Sequence, residues 1–200
     1  MCIRDSIRSA LNVGSIFRTS DTFLVDKILL CGITACPPHK DIRKSGLGAD
    51  SSVEWEFYSN TVDAVNELIK KKYTIVSVEQ TSKSNSLENV KLPEMPLALV
   101  FGNEVNGVSQ EVINLCEESI EIPQLGTKHS LNVSVATSIL LFEAIRQRQS
   151  KGLLPLNGEG LGPIEYQKTL FEWSYPDLAS LYRKAGTKYP NLNKYGEISE

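Results

Sequence analysis

The sequence alternates between strand-like and helix-like segments, and this alternation limits the chain to few fold classes. Residues Leu97–Phe101 form a continuous apolar run, which is typical of a parallel strand covered on both faces of a sheet. Other short runs rich in β-branched or aromatic residues lie at Lys27–Cys31, 53–58, 73–78 and 119–122. Apolar residues at helical spacing predict helices over about 12–23, 61–71, 108–117 and 131–149. The pattern predicts an α/β domain with a mostly parallel sheet flanked by helices.

The predicted helix over 131–149 has apolar residues on almost its whole circumference. A helix of this kind has to be buried on several sides. In a domain of this size, a neighbouring subunit is a natural cover for the outer side. Asn132 and Glu143 are among the polar residues that interrupt the segment, so it is too short and too polar to span a bilayer.

A chain of 200 residues with 41% hydrophobic and 22% charged residues has the composition of a soluble globular protein. We expect one domain over 1–150 and, over 151–200, a linker followed by a short helical extension. No apolar secretion signal follows Met1. The four cysteines form no C-x-x-C pair, and His39 and His129 are the only histidines. This predicts reduced thiols in a cytoplasmic protein, without a catalytic triad or a metal site.

The net charge of −3 does not point to a polyanionic partner, but the charges are unevenly distributed. Residues 1–50 carry seven lysines and arginines against five acids, whereas residues 79–121 carry eight glutamates against two lysines. A surface polarised in this way can bind a polyanion on one face. The alternative, that these charges only solvate the surface, stays open.

Residues 102–109 follow a predicted strand and precede a predicted helix, where a phosphate-binding loop would lie. The segment fits the pattern G-x-x-x-x-G-K-[ST] except at Val108, which takes the place of the lysine. Without that cation, binding of a nucleoside triphosphate is not expected. Gly102 and Gly107 also have a purely structural explanation, because glycines are common in tight turns between a strand and a helix.

Polar residues at the start of two predicted helices have both a functional and a structural explanation. Ser130 is well placed to cap the helix that follows, but a cap does not explain Asn132, which would need partners if buried. Asn12 can cap the helix that starts near Val13. Arg18 lies among apolar residues and is either functional or a surface arginine with a packed stem.

Three segments, taken together in this order, resemble the motifs of the SpoU/TrmH branch of the SPOUT RNA methyltransferases. They are N-V-G-S-I-F-R at 12–18, F-G-N-E-V-N-G-V-S at 101–109 and I-P-Q-L-G-T-K-H-S-L-N-V-S-V-A at 122–136. The resemblance implies transfer of a methyl group from S-adenosylmethionine to a ribose 2'-hydroxyl of tRNA or rRNA, without a metal. It also implies a homodimer whose sheet ends in a deep trefoil knot.

The resemblance assigns roles to residues by their position in these motifs. The expected donor contacts, partly through backbone groups, are Gly102, Ile122, Gly126 and Leu131. The expected catalytic set is Asn12, Arg18, Glu104, Ser130 and Asn132. In this set Arg18 clamps a phosphate and stabilises developing oxyanion charge, or acts as a base. Glu104 and Asn12 orient Arg18, and Ser130 and Asn132 shape the pocket for donor and ribose.

Two other functions compete with this interpretation: an RNA-binding protein that kept the fold without catalysis, and a methyltransferase with a target other than ribose. Residues 1–6 read poorly as the strand that precedes the first motif in the family, so we expect the start of the sequence to be truncated or foreign. The aromatic and basic residues of 164–200 are expected either to contact RNA or to stabilise packing and a dimer.

Overall fold

The structure is a computed structural model that describes residues 1–94, 96–103, 106–127, 130–154, 163–193 and 195–199, without the side chains of Arg4, Pro163 and Glu165. The chain divides into two compact units, Met1–Ser150 and Lys151–Glu200. Most of the predicted linker lies outside the described residues.

The first unit alternates strands and helices along its length. Its strands are β1 (Cys2–Asp5), β2 (Lys27–Cys31), β3 (Glu54–Tyr58), β4 (Thr74–Val78), β5 (Asn85–Ser86), β6 (Leu97–Phe101) and β7 (Glu118–Glu121). Its helices are α1 (Ala10–Thr22), α2 (Lys40–Gly46), α3 (Thr61–Lys70), α4 (Gln110–Ile113) and α5 (Val133–Ser150), with short 3₁₀ helices at Ala49–Ser51 and Leu87–Asn89.

The described strands form one sheet in the order β3-β2-β1-β6-β4-β7-β5. Every pairing in it is parallel, which confirms the predicted α/β architecture. Apolar residues of α1, α2 and α5 form one buried cluster with one face of the sheet, and those of α3 and α4 form another with the opposite face. Because all strands are parallel, their carboxyl ends meet at one edge, where ligands bind in open α/β sheets.

The prediction that residues 1–6 make a poor strand is wrong. β1 lies in the middle of the sheet, paired with β2 and β6. Cys2 and Ile3 are fully buried and belong to the clusters on opposite faces. The sequence pattern hides this strand because Arg4 and Asp5 are charged. Asp5 reaches the polar edge of the sheet, where its carboxylate accepts hydrogen bonds from the hydroxyls of Ser6 at 3.0 Å and Thr61 at 2.7 Å.

Several other elements differ from the sequence prediction. α2 lies where no helix was predicted, and at its start the ring nitrogen of His39 accepts a hydrogen bond from the Asp41 N–H at 3.2 Å. α4 is shorter than the predicted helix over 108–117 and has Ser109 as its cap. The two-residue strand β5 has no apolar pattern that sequence analysis could find.

α5 buries only one side within the chain. Val133, Leu140 and Leu141 face the core, whereas Val135 and Phe142 are 47% and 58% exposed. The apolar residues on the outer side of the helix are therefore not covered within the chain, and the neighbouring subunit expected to cover them stays a prediction. None of the helices in the described ranges combines the length and apolar character that crossing a membrane requires.

The second unit contains α6 (Pro163–Ser174) and α7 (Pro176–Ala185). Its core is built on the ring of Phe171, which contacts three tyrosine rings. The centroid distances are 5.5 Å to Tyr175, 5.7 Å to Tyr182 and 4.7 Å to Tyr189. Trp173, in contrast, is 75% exposed. Most of the aromatic residues that were expected to contact RNA or to stabilise packing therefore pack against one another.

Candidate active site

The carboxyl ends of β4, β6 and β7 surround a cavity of about 210 Å³ together with the segment that leads into α5. Phe101, Ile120 and Val133 supply buried apolar surface. Four residues predicted from the sequence line this cavity: Gly102, Ile122, Ser130 and Leu131. The structure thus brings the second and third motifs together at the edge of the sheet where a ligand is expected.

The polar wall of the cavity was not predicted from the sequence. Glu79 and Gln80 follow β4 directly, Glu121 is the last residue of β7, and Gln124 lies just beyond it. The signal that could have identified them is position alone, because each lies at or just past the carboxyl end of a strand.

The loop of the second motif is closed by its own backbone. Asn103 and Gly107 exchange two hydrogen bonds, from the Asn103 N–H at 3.0 Å and from the Gly107 N–H at 2.9 Å. A Cβ atom on Gly102 would lie 2.1 Å from the carbonyl carbon of Gly107, so only glycine fits there. The structural explanation for the glycines is therefore correct, and it coexists with their place in the cavity wall.

Asn132 organises the start of α5. Its side-chain oxygen accepts hydrogen bonds from the N–H of Ser134 at 2.8 Å and from the Ser134 hydroxyl at 2.7 Å. The first of these is the cap that sequence analysis assigned to Ser130. Asn132 is exposed within the chain, so the need of a buried asparagine for partners does not arise there.

Asn12 is not the cap of α1, because Ser9 fills that position and its hydroxyl accepts the Asn12 N–H at 3.3 Å. The side-chain oxygen of Asn12 instead accepts a hydrogen bond from the Asn132 side-chain amide at 3.1 Å. This contact joins the first motif to the third.

α1 and α5 run side by side beyond this contact. The hydroxyls of Thr19 and Ser138 lie 3.2 Å apart, and the rings of Phe23 and Phe142 pack edge to face with centroids 6.5 Å apart. Their order along both helices shows that α1 and α5 point in the same direction, so both begin beside the cavity.

Comparison with known proteins agrees with this geometry. Residues 2–142 match the SpoU rRNA methylase family, and residues 146–200 match its C-terminal region. The chain belongs to the SpoU rRNA methylase family.

Relatives of this SpoU-family protein match it over most of its length. The tRNA (guanosine(18)-2'-O)-methyltransferase of Escherichia coli is 30% identical over 97% of this chain and 83% of its own. A crystal structure of the Aquifex aeolicus TrmH/SpoU tRNA modifying enzyme has a TM-score of 0.71 and 32% identity, covering 89% of this chain and 88% of that one. The AdoMet-bound rRNA methyltransferase of Sinorhizobium meliloti has a TM-score of 0.69 and 28% identity, covering 77% and 56% of the two chains.

Arg18 does not face the Asn12–Asn132 pair in this SpoU-family chain. Six positions on a helix correspond to about 120° around its axis, so Asn12 faces α5 whereas Arg18 faces solvent. The Arg18 side chain is exposed, and its guanidinium forms no hydrogen bond or ion pair with the described residues. Within one chain, the predicted catalytic residues therefore point in two directions, because Asn12 faces Asn132 whereas Arg18 faces solvent.

The structure does not test the roles predicted for Glu104 and Gly126. Glu104 and His129 lie outside the described residues. Gly126 is exposed, a Cβ atom there would meet nothing within 4 Å, and it is not among the lining residues. Its predicted donor contact stays a prediction.

The described part of the chain offers neither a metal cluster nor an activated thiol at this site. No group of three or more histidine, cysteine, aspartate or glutamate residues with metal-binding geometry occurs within it. Burial raises the pKa of the Cys31 thiol to about 12 and that of Cys116 to about 11, which suppresses the reactive thiolate.

Proposed function

We propose that this SpoU-family protein transfers a methyl group from S-adenosylmethionine to a ribose 2'-hydroxyl of tRNA. The observation that carries the proposal is the convergence of the three motifs on one edge of the sheet. The second and third motifs line the cavity, and the hydrogen bond between Asn12 and Asn132 brings the first motif beside them. tRNA is the substrate class named for the Escherichia coli and Aquifex aeolicus relatives.

The residues of the cavity fit S-adenosylmethionine as the donor. Phe101, Ile120 and Val133 offer an apolar surface for its adenine ring, and the glycine at 102 permits close approach to the backbone. The carboxylates of Glu79 and Glu121 suit a ligand that carries a positive sulfonium. When bound, this donor supplies an already activated methyl group.

The remaining task of the protein is to place the ribose oxygen in line with that methyl group and to favour its anionic form. A guanidinium keeps its proton, so we assign Arg18 the roles of phosphate clamp and oxyanion stabiliser rather than base. Asn12 and Asn132 hold the two helix starts in register, and Ser130 lies on the wall where the ribose would enter. Glu104 completes the set by its position in the second motif.

We further propose that the active site is shared between two copies of the chain. Arg18 faces solvent, away from its own Asn12, and the neighbouring surface includes the exposed apolar residues Leu11, Val135 and Phe142. A homodimer that covers this surface would bury the outer side of α5 and bring Arg18 of one copy towards the cavity of the other. The deep trefoil knot expected from the family and the cytoplasmic location expected from the cysteines belong to the same proposal.

We place the RNA on the layer that contains α1, α2 and α5. The exposed face of α2 carries Lys40, Arg43 and Lys44 at i, i+3 and i+4, so these cations neighbour one another. None of them forms an ion pair with the described residues, which leaves their charge available to phosphates. α1 carries Arg18 on the same layer.

The test is transfer of labelled methyl from S-adenosylmethionine to total tRNA and, separately, to rRNA, followed by nucleoside analysis. We expect a 2'-O-methylated nucleoside in the tRNA pool. A methylated base would instead identify a non-ribose target. Saturable donor and RNA binding without transfer would favour the non-catalytic RNA-binding protein.

A further inference from the structure

Glu79 occupies a junction between the two loops that form the cavity. It follows β4, and its backbone N–H donates to the Ile120 carbonyl of β7 at 3.0 Å, which extends the pairing of the two strands. Its side chain is half-buried and lines the cavity. Glu79 therefore lies on the strand that separates the second motif, after β6, from the third motif, after β7.

The two carboxylate oxygens of Glu79 accept different backbone hydrogen bonds. One oxygen accepts the Val108 N–H at 2.8 Å, and the other accepts the Gln80 N–H at 3.1 Å. Val108 is the residue with which the loop of the second motif ends. A hydrogen bond from an N–H to an ionised carboxylate is stronger than one between neutral groups, so this contact fixes the end of the loop.

Gly107 and Glu79 are matched to each other. Gly107 has a φ of +65°, and a Cβ atom there would lie 2.2 Å from the Glu79 oxygen that binds Val108. The backbone conformation therefore favours glycine, and any side chain at this position would displace the Glu79 carboxylate from Val108. Because Gly107 also pairs with Asn103, the Glu79 carboxylate acts on the closed loop as a whole.

We propose that Glu79 is a positioning residue for the methyl donor: it holds the glycine loop in the shape in which Gly102 can face the donor. The inference rests on the proposed use of this cavity for S-adenosylmethionine. At its β6 end the loop is held by the Asn103 side-chain amide, which donates to the Ser6 carbonyl at 2.6 Å. The Glu79 carboxylate anchors its other end from the neighbouring strand. Without this anchor the loop would sample other shapes, and donor binding would weaken before the chemical step does.

A simpler alternative is that Glu79 only contributes negative charge to a cavity for a cationic ligand. Glu121 separates the two explanations, because it lines the same cavity but its carboxylate accepts a hydrogen bond from the Ser84 hydroxyl at 2.7 Å rather than from the glycine loop. A charge effect would act through both glutamates. An anchoring effect would add to the charge effect at Glu79 only, so Glu79→Gln should lose more donor affinity than Glu121→Gln.

The experiment compares Glu79→Gln, Glu79→Ala and Glu121→Gln in the full chain. Glutamine has nearly the shape of glutamate, but its single oxygen can accept only one of the two N–H groups. We expect Glu79→Gln to raise the dissociation constant for S-adenosylmethionine, measured by calorimetry, and the donor KM by about tenfold. Affinity for RNA and kcat at saturating donor should change by less than about threefold. Glu79→Ala should weaken donor binding more than Glu79→Gln does.

Four results separate the outcomes. Unchanged donor affinity in Glu79→Gln overturns the inference, as does an equal loss in Glu121→Gln. A Glu79→Gln protein that melts earlier but binds the donor normally at low temperature would show a role in stability only, which also overturns it. Failure of the wild-type protein to bind S-adenosylmethionine would instead overturn the proposed use of the cavity.

Discussion

The side-chain amide of Asn132 donates a hydrogen bond of 3.1 Å to the side-chain oxygen of Asn12, across a sequence separation of 120 residues. The same Asn132 caps α5 through its oxygen, so its orientation is fixed by Ser134. Asn132 therefore links the geometry of the first motif to the start of α5. A chain that lost this link would keep both helices packed, but it would lose the contact that fixes the first motif beside the start of α5.

We predict that Asn132→Ala and Asn12→Ala each lower kcat/KM for methyl transfer by about 100-fold, the scale expected when reacting groups are misplaced by about 1 Å. The double variant should lose little more than Asn132→Ala alone, because Asn12→Ala removes only the link that Asn132→Ala has already removed. Thr19→Val is the matched control: it removes the hydroxyl contact with Ser138 on the same helix pair, just past the first motif and outside the cavity lining. It should leave activity within about twofold, and an equal loss in this control would show a general effect of helix packing.

Elements with strong local patterns could be predicted from the sequence. β6 has the predicted bounds because it is buried on both faces and therefore apolar at every position. β1 could not be recognised, since two of its four residues are charged and its burial depends on strands that arrive later in the chain. Local patterns fail where long-range pairing determines the structure.

The candidate site shows the same contrast between residues found from local patterns and contacts that depend on the fold. Gly102, Ile122, Ser130 and Leu131 were found through their motifs, and the structure places them around one cavity. The pairing of α1 with α5 could not be predicted, because helical spacing does not reveal which polar residue meets which partner. Glu79 had no motif, and its role depends on a loop about 25 residues further along that only the fold brings within reach.

We predict that Arg18→Ala abolishes methyl transfer while leaving S-adenosylmethionine binding nearly unchanged. Because Arg18 faces away from its own Asn12, the active site should take this arginine from a second copy. Activity measurements on mixed dimers test this directly. Arg18→Ala and Asn132→Ala subunits, unfolded and refolded together in equal amounts, should recover about a quarter of wild-type activity, since half of the dimers then contain one intact site.

An arrangement in which each chain uses its own Arg18 gives a different result. No mixed dimer would then contain an intact site, and the mixture would be as inactive as its two components. A protein that sediments as a monomer while retaining full activity would also contradict the shared site. Wild-type subunits carried through the same refolding provide the reference activity.

We predict that alkylation of native protein with iodoacetamide at pH 8 leaves methyl transfer intact. Burial raises the pKa of Cys31 to about 12 and of Cys116 to about 11. At pH 8, three to four units below these values, only about one thiol in 1,000 to 10,000 is ionised at either position. Mass spectrometry should show labelling of Cys31 only after unfolding. Loss of activity in step with labelling of one cysteine would favour a thiol-dependent reaction on a target other than ribose.

The exposed cations of α2 should carry part of the affinity for RNA. We predict that Lys40→Gln, Arg43→Gln and Lys44→Gln combined weaken tRNA binding by at least tenfold at low salt. They should also reduce the slope of log K against log salt by about 2 to 3, since each lost phosphate contact removes about 0.7 to 0.9.

The matched control changes Lys70, Lys71 and Lys72 to glutamine. These lysines lie at the end of α3, on the opposite face of the sheet, and Lys71 is already paired with Glu67. Both triple variants change the net charge equally, so equal losses would mean that overall charge, rather than the α2 face, attracts the RNA.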